Sequence, residues 1–242
     1  MSLKALIFDV DGTLAETEGV HLQAFNAAFK DAGLDWHWSA ELYKVLLGTT
    51  GGKERMLTYV RDHLNLDPAL WVERIPDLHA QKTKHYVRIV KGGGLALRPG
   101  VQTLMDAASE AGLTLAIATT TSRPNVDALC RSIWNADTHN IFKVVACGDE
   151  VPNKKPAPDV FKLALQRLAL PASKCIGFED SYNGMLSSLG AKLTTVVVPS
   201  FYTGQGDFSA ANFLTDSYKN LDIGVLTQVL AHKIAIKKPP SR

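Results

Sequence analysis

Ala5-Leu6-Ile7-Phe8-Asp9-Val10-Asp11-Gly12-Thr13 decides how the rest of the chain is read. Four consecutive apolar residues are the pattern of a strand buried on both faces. Two aspartates and a glycine turn follow at once. Similar apolar runs recur at residues 113–118, 144–146, 175–178 and 195–198. Helical spacing separates the later ones. Val101, Leu104 and Ala108 follow Pro99-Gly100; Val160, Phe161, Leu163 and Leu168 follow Pro158-Asp159; Met185, Leu186 and Leu189 precede Gly190. Strands alternating with helices predict an α/β fold, a doubly wound parallel sheet with helices on both sides.

Residues 15–97 break that alternation and read as helices alone. Leu22, Phe25, Phe29 and Ala32 form one apolar stripe ending at Gly33. Further helices are predicted near 40–47, over 53–64 and, as a long fourth, after Pro68, with Gly92-Gly93-Gly94 as a flexible return. The predicted organisation is residues 1–14 as the start of the core, 15–97 as an inserted helical lid, and 98–242 as the remainder of the core. The basic tail, residues 237–242, reads as frayed and solvated.

The composition excludes several classes of function. The 242 residues are 46% hydrophobic and 21% charged, enough to bury a sizeable core. With 26 Lys+Arg against 24 Asp+Glu the formal charge is +2, too balanced for a whole-surface nucleic-acid binder. No segment approaches the ~20 apolar residues of a membrane span. Cys130, Cys147 and Cys175 share no CxxC spacing and read as buried thiols of a reducing compartment. Met1-Ser2-Leu3-Lys4 runs straight into the first apolar run, so a cytoplasmic location is expected. A plastid location, with a transit peptide ahead of this sequence, stays open.

Ligands of open α/β sheets sit beyond the carboxyl ends of the strands. There this chain carries Asp9 and Asp11, then Thr119-Thr120-Thr121, then Asn153-Lys154-Lys155-Pro156, then Glu179-Asp180. Asp9 alone could be a turn aspartate, with Gly12 making the turn. The set resists that reading, because clustered carboxylates near an apolar core are costly unless a cation joins them. Oxygen ligands with no Cys or His point to Mg²⁺. Mg²⁺ beside carboxylate, lysine and hydroxyls is machinery for phosphoryl transfer. An aspartate is also a competent nucleophile, and Asp11, two residues on, could serve as general acid and base.

The chain resembles the haloacid-dehalogenase-like superfamily. Four motifs carry the resemblance in order: Phe8–Thr13, Ile117-Ala118-Thr119, Lys155-Pro156-Ala157-Pro158-Asp159 and Gly177–Ser181. It implies a Rossmann-like core with an all-helical C1 cap. It also implies Asp9 as nucleophile and Mg²⁺ ligand, and Asp11 as acid/base whose carbonyl faces the metal. Thr119 would bind the phosphoryl group and Lys155 neutralise it. Asp180, with Glu179 directly or through water, would complete the metal site. Asp11 argues against true dehalogenases, which lack it. With Asp11 counted as protonated, Mg²⁺ and Lys155 balance the charges of Asp9, Glu179 and Asp180.

In the predicted lid, Leu47–Arg55 fails the GxxxxGK[ST] spacing of a nucleotide loop. Gly51 and Gly52 leading into a helix with Lys53 and Arg55 make an anion cradle, or else a flexible turn with solvated charges. Read with Tyr43 and Lys82, this loop resembles the CbbY-type sugar-phosphate phosphatases, which act on pentulose bisphosphates such as xylulose-1,5-bisphosphate. That resemblance makes Lys53, Arg55 and Lys82 substrate-binding candidates; Glu18 and His21, where the hinge of the lid would face the site, Tyr43, Gly51 and Gly52 of the lid, and Thr120 and Thr121 at the end of the second strand join them. His21 reads equally as an interfacial histidine. The expected partner is a small sugar phosphate, with neither nucleic acid nor membrane, and a monomer is expected. A phosphosugar mutase of the beta-phosphoglucomutase type is the alternative, because the core motifs do not say whether water or a sugar hydroxyl captures the phosphoenzyme. A catalytically idle sugar-phosphate-binding module is a third reading, against which the undegraded motifs stand.

Overall fold

Ala5–Phe8 forms β1, and every one of its side chains is buried. Leu6 and Phe8 enter one apolar cluster while Ala5 and Ile7 enter another on the opposite face, as a continuous apolar run requires. A computed structural model of the chain describes residues 2–231, and the predicted solvated tail lies outside them.

β1 is flanked by β2 (Thr114–Ala118) and, further on in the chain, β4 (Cys175–Glu179). With β3 (Val144–Ala146), β5 (Thr194–Val197) and β6 (Phe213–Leu214) they form one parallel sheet in the order β3-β2-β1-β4-β5-β6. Two-residue β6 was missed by the periodicity, being too short to show any. Helices α5 (Val101–Glu110), α6 (Arg123–Trp134) and α10 (Ile223–Leu230) pack on the Leu6/Phe8 face. Helix α8 (Asp159–Leu168) covers the Ala5/Ile7 face. α9 (Tyr182–Gly190) lies on β4 and β5, and the short α7 (Thr138–Ile141) precedes β3. The chain steps outward through β2 and β3, then crosses to β4 on the other side of β1. That reversal opens a crevice where β1, β2 and β4 end.

Between β1 and β2 come α1 (Glu18–Asp31), α2 (Ala40–Leu46), α3 (Gly52–Asp62) and α4 (Ile75–Lys91). The long fourth helix starts later than predicted. Asp67 first caps a 3₁₀ turn over Pro68–Leu70, accepting the Ala69 N–H, and Pro76 then occupies the first turn of α4. These helices have an apolar centre of their own, built on Phe25, Phe29, Trp38, Tyr43, Met56 and Tyr59. The strands leading out to and back from this insertion touch: Ala15 pairs with Leu97, and the Arg98 N–H donates to Leu14 O at 2.8 Å. All three cysteines are free and buried. No described helix is long and apolar enough to cross a membrane.

Candidate active site

Because β1, β2 and β4 end side by side, the residues that follow them meet in one place. Asp9 follows β1, Glu179 closes β4, and Asp180 comes next; all three are buried. Lys155 arrives from the loop before α8. Its Nζ donates to Asp9 Oδ1 at 2.6 Å, to Glu179 Oε1 at 2.6 Å and to Ala118 O at 3.0 Å, which uses all three ammonium hydrogens. The Asp9, Glu179 and Asp180 carboxylates come within 4.8 Å of one another. Gly12 makes this approach possible. Its φ is +79°, and a Cβ there would collide with the Asp180 carboxylate.

One cation thus faces three buried carboxylates. Burial, opposed by Lys155 and reinforced by Asp11, raises the Asp9 carboxyl above its ordinary range. Burial raises Glu179 well above its own, Lys155 again opposing. Burial and the Asp9 charge push Asp180 up to about 7, against hydrogen bonds from Ser200 and Thr203. Burial would depress Lys155, but Asp9 and Glu179 outweigh it and raise the ammonium. Glu179 Oε2 is buried with no hydrogen-bond partner. Hard oxygen donors, a deficit of positive charge and an orphaned carboxylate oxygen fit a hard metal cation held by Asp9, Glu179 and Asp180.

Asp11, whose protonation the sequence leaves open, has partners of its own. Its Oδ1 accepts from Thr17 Oγ1 at 2.5 Å and pairs with His21 Nε2 at 2.9 Å. Burial alone would raise it, but the His21 charge and hydrogen bond, with Thr17, hold it down at about 2. His21 therefore faces the site: it lines the cavity, stacks on Tyr86 and meets Lys82 Nζ through Nδ1 at 2.5 Å.

The same cavity is lined by Glu18, Gly51, Gly52, Lys53, Arg55, Lys82, Thr120 and Thr121 among the predicted residues. Tyr43 does not line it. Its ring is fully buried in the insertion's apolar centre, and its hydroxyl donates to Glu18 Oε2 at 2.6 Å, so it braces a lining residue. Thr119 also lies behind the lining, with Oγ1 accepting the Thr121 N–H at 3.2 Å. Arg55 lines the cavity but donates to Leu46 O, Thr49 O and Tyr43 Oη, so it shapes the loop it belongs to. Lys53 pairs with Asp149 at 3.3 Å across the crevice, and Asn183 of α9 donates to Gly48 O and Thr50 Oγ1.

Ser122, Asn125, Asp149, Thr203 and His79 line the cavity without having been singled out, and Lys154, read as part of the strand-end set, lines it too. Asn125 had a signal: it stands one helical turn after Thr121, whose hydroxyl its Nδ2 reaches at 2.9 Å. Thr203 had none, since only the chain's return from β5 carries it to Asp180. His79 is neutral, because burial and the nearby Lys82 and Lys53 charges pull it down to about 3.

Comparison with known proteins places this arrangement. The family model for haloacid dehalogenase-like hydrolases matches residues 6–198. The chain belongs to that family. It is a phosphatase of the family, and its relatives are long matches. It is 55% identical over 213 residues to protein CbbY of Rhodobacter capsulatus, covering 88% of this chain and 92% of that one. Among solved structures it is similar to a variant of CbbY from Rhodobacter sphaeroides in complex with xylulose-(1,5)bisphosphate. The TM-score there is 0.86 at 46% identity, over 90% of this chain and 96% of that one. The fold alone is shared with beta-phosphoglucomutase from Clostridium difficile, at a TM-score of 0.79 and 19% identity over 95% and 97% of the two chains.

Burial, with Arg55 adding to it and Asp11 opposing, lowers the Lys82 ammonium to about 7. In the unfolded chain its value is near 10.5, so between those two values the unfolded state binds more protons and folding strengthens as pH rises. Below about 7 the full cost of burying the charge is present. Lys82→Met should therefore stabilise the fold at pH 6, by on the order of 2 kcal/mol, with the gain fading towards pH 10. Urea unfolding of both proteins across that range checks this; a pH-independent difference contradicts it.

Proposed function

We propose that the chain is a Mg²⁺-dependent phosphatase acting on a small sugar bisphosphate, a pentulose bisphosphate such as xylulose-1,5-bisphosphate. The observation that carries this reading is a single cavity whose lining joins Asp9, Lys155 and Asp180 of the acidic cluster to basic and hydroxyl side chains. The latter are Lys154, whose Nζ donates to Gly148 O at 2.6 Å, Lys53, which pairs with Asp149, and Thr121, Ser122 and Asn125. Ser122 Oγ is buried there without a partner, leaving a hydroxyl for an incoming oxyanion. Relatives whose solved structure holds xylulose-(1,5)bisphosphate support the choice of substrate.

Mg²⁺, when bound by Asp9, Glu179, Asp180 and the Asp11 carbonyl, neutralises charge on the transferring phosphoryl group. Lys155 holds Asp9 in place and adds a second positive charge. Asp9 attacks phosphorus as the bond to the sugar oxygen breaks, forming an aspartyl phosphate. Asp11 protonates the departing sugar oxygen, then takes a proton from the water that attacks the aspartyl phosphate and releases inorganic phosphate. With Oδ1 tied to Thr17 and His21, Oδ2 is the atom left to carry that proton. The arriving phosphate dianion supplies the negative charge that raises Asp11 from its resting value.

Residues 15–97 act as the lid. The cavity holds about 100 Å³, well below the ~300 Å³ of an ordinary ligand pocket. Substrate entry thus requires the Lys53–Asp149 and Asn183–Gly48 contacts to release, and closure returns them around the sugar while excluding bulk water.

Phosphate release from a panel of sugar mono- and bisphosphates tests the reading. The expected result is a kcat/KM for the pentulose bisphosphate at least about 10-fold above that of its monophosphates, the scale of one further charged contact. Equal rates for mono- and bisphosphates, or conversion of beta-glucose-1-phosphate to glucose-6-phosphate without phosphate release, would overturn it.

A further inference from the structure

We propose that Arg98 is a positioning residue that holds the walls of the Asp180 pocket, and through them its Mg²⁺ affinity, from behind. The residue touches none of the reacting groups. It stands on the strand by which the chain returns from the helical insertion, next to Leu97, which pairs with Ala15 on the outgoing strand. Its Nη1 donates to Gly12 O at 2.5 Å and to Val198 O at 2.7 Å, and its Nη2 to Pro199 O at 2.8 Å. Nε pairs with Glu16 on the outgoing strand at 3.2 Å, and the guanidinium lies 5.4 Å from the centre of the Tyr218 ring.

Those carbonyls belong to the two segments that enclose Asp180. Gly12 presses its backbone against the Asp180 carboxylate, with no room for a Cβ. On the other side, the segment beginning at Val198 and Pro199 leads into Ser200 and Thr203. Thr203 Oγ1 donates to Asp180 O and Oδ2, both at 2.8 Å, and lies 2.7 Å from Ser200 Oγ. One planar fork therefore fixes both walls relative to each other. Lysine cannot do this, since a single ammonium on a flexible stem does not span three carbonyls in one plane. A side chain only 10% exposed is a costly place for a charge unless its donors are needed there. Outer partners of metal ligands commonly set affinity in this way.

The inference rests on the metal-dependent reading above, and Mg²⁺ titration calorimetry on the intact protein separates the two. The wild type should bind Mg²⁺. Arg98→Lys should bind it about 10-fold more weakly and lose a similar factor in kcat, with KM within about threefold, the loss expected of an outer partner. Glu16→Gln keeps the fold because Glu16 is exposed. It removes the charge facing Nε and should weaken Mg²⁺ binding about threefold, the scale of a half-exposed ion pair. If Arg98→Lys folds and binds Mg²⁺ as the wild type does, Arg98 is merely structural and the inference is overturned. If Arg98→Lys does not fold, wild-type Mg²⁺ affinity in Glu16→Gln overturns it. Absence of Mg²⁺ binding by the wild type overturns the metal-dependent reading itself, and this inference with it.

Discussion

Asp9→Asn should abolish phosphate release, by on the order of 10⁴-fold or more, without weakening the fold. Removing a nucleophile takes away the covalent route altogether, and a neutral amide attacks phosphorus poorly. The stability side is the more diagnostic. Asp9 is a buried carboxylate raised above its ordinary range in a cluster with one cation for three acids. Its neutral isostere keeps an acceptor for Lys155 Nζ and relieves repulsion with Glu179 and Asp180. Thermal unfolding in the absence of Mg²⁺ should show a melting temperature equal to or above that of the wild type. Turnover within 10-fold of the wild type would remove Asp9 from the nucleophile role, and a lowered melting temperature would contradict the charge imbalance.

Lys155→Met should have the opposite signature, losing activity and stability together. The ammonium is 4% exposed and bridges Asp9 and Glu179, themselves 8% and 1% exposed. Deleting it leaves two buried acids without their cation, a loss of about 3–5 kcal/mol for a broken buried pair. Urea unfolding checks the value. Adding Glu179→Gln to Lys155→Met should restore part of the stability and none of the activity, because one of the two stranded charges is then gone. A loss below about 1 kcal/mol in the single variant would mean that the acids are already neutral in the resting site.

The core was legible because its signals are local. An uninterrupted apolar run such as Ala5–Phe8 announces a strand buried on both faces, and the polar residue directly after it announces the site. Asp9, Glu179 and Asp180 were all found this way, whereas Lys155, further along the loop after β3, was found through its motif. The helical insertion was legible in outline from the stripe of Leu22, Phe25 and Phe29, but its side-chain roles were not. Tyr43 carries a hydroxyl near a polar cavity, and nothing in its sequence neighbourhood says that its ring fills an apolar centre while its hydroxyl donates a hydrogen bond to Glu18. The surroundings of Asp11 were illegible for the same reason: Thr17 and His21, one helical turn further along α1, are brought to one of its oxygens by the bend after Gly12. Thr203 and Arg98 act through contacts with residues far away in the chain, and only the folded sheet supplies those.

The proposed reaction is hydrolysis of a sugar bisphosphate in this cavity, with Mg²⁺ held by Asp9, Glu179 and Asp180. Its most direct test is inorganic phosphate release from xylulose-1,5-bisphosphate by the purified protein, first with Mg²⁺ and then after chelation and re-addition. Release with Mg²⁺, its disappearance on chelation and its full return on re-addition are the predicted results. No release with Mg²⁺ present, or release that chelation leaves unchanged, would exclude that reaction.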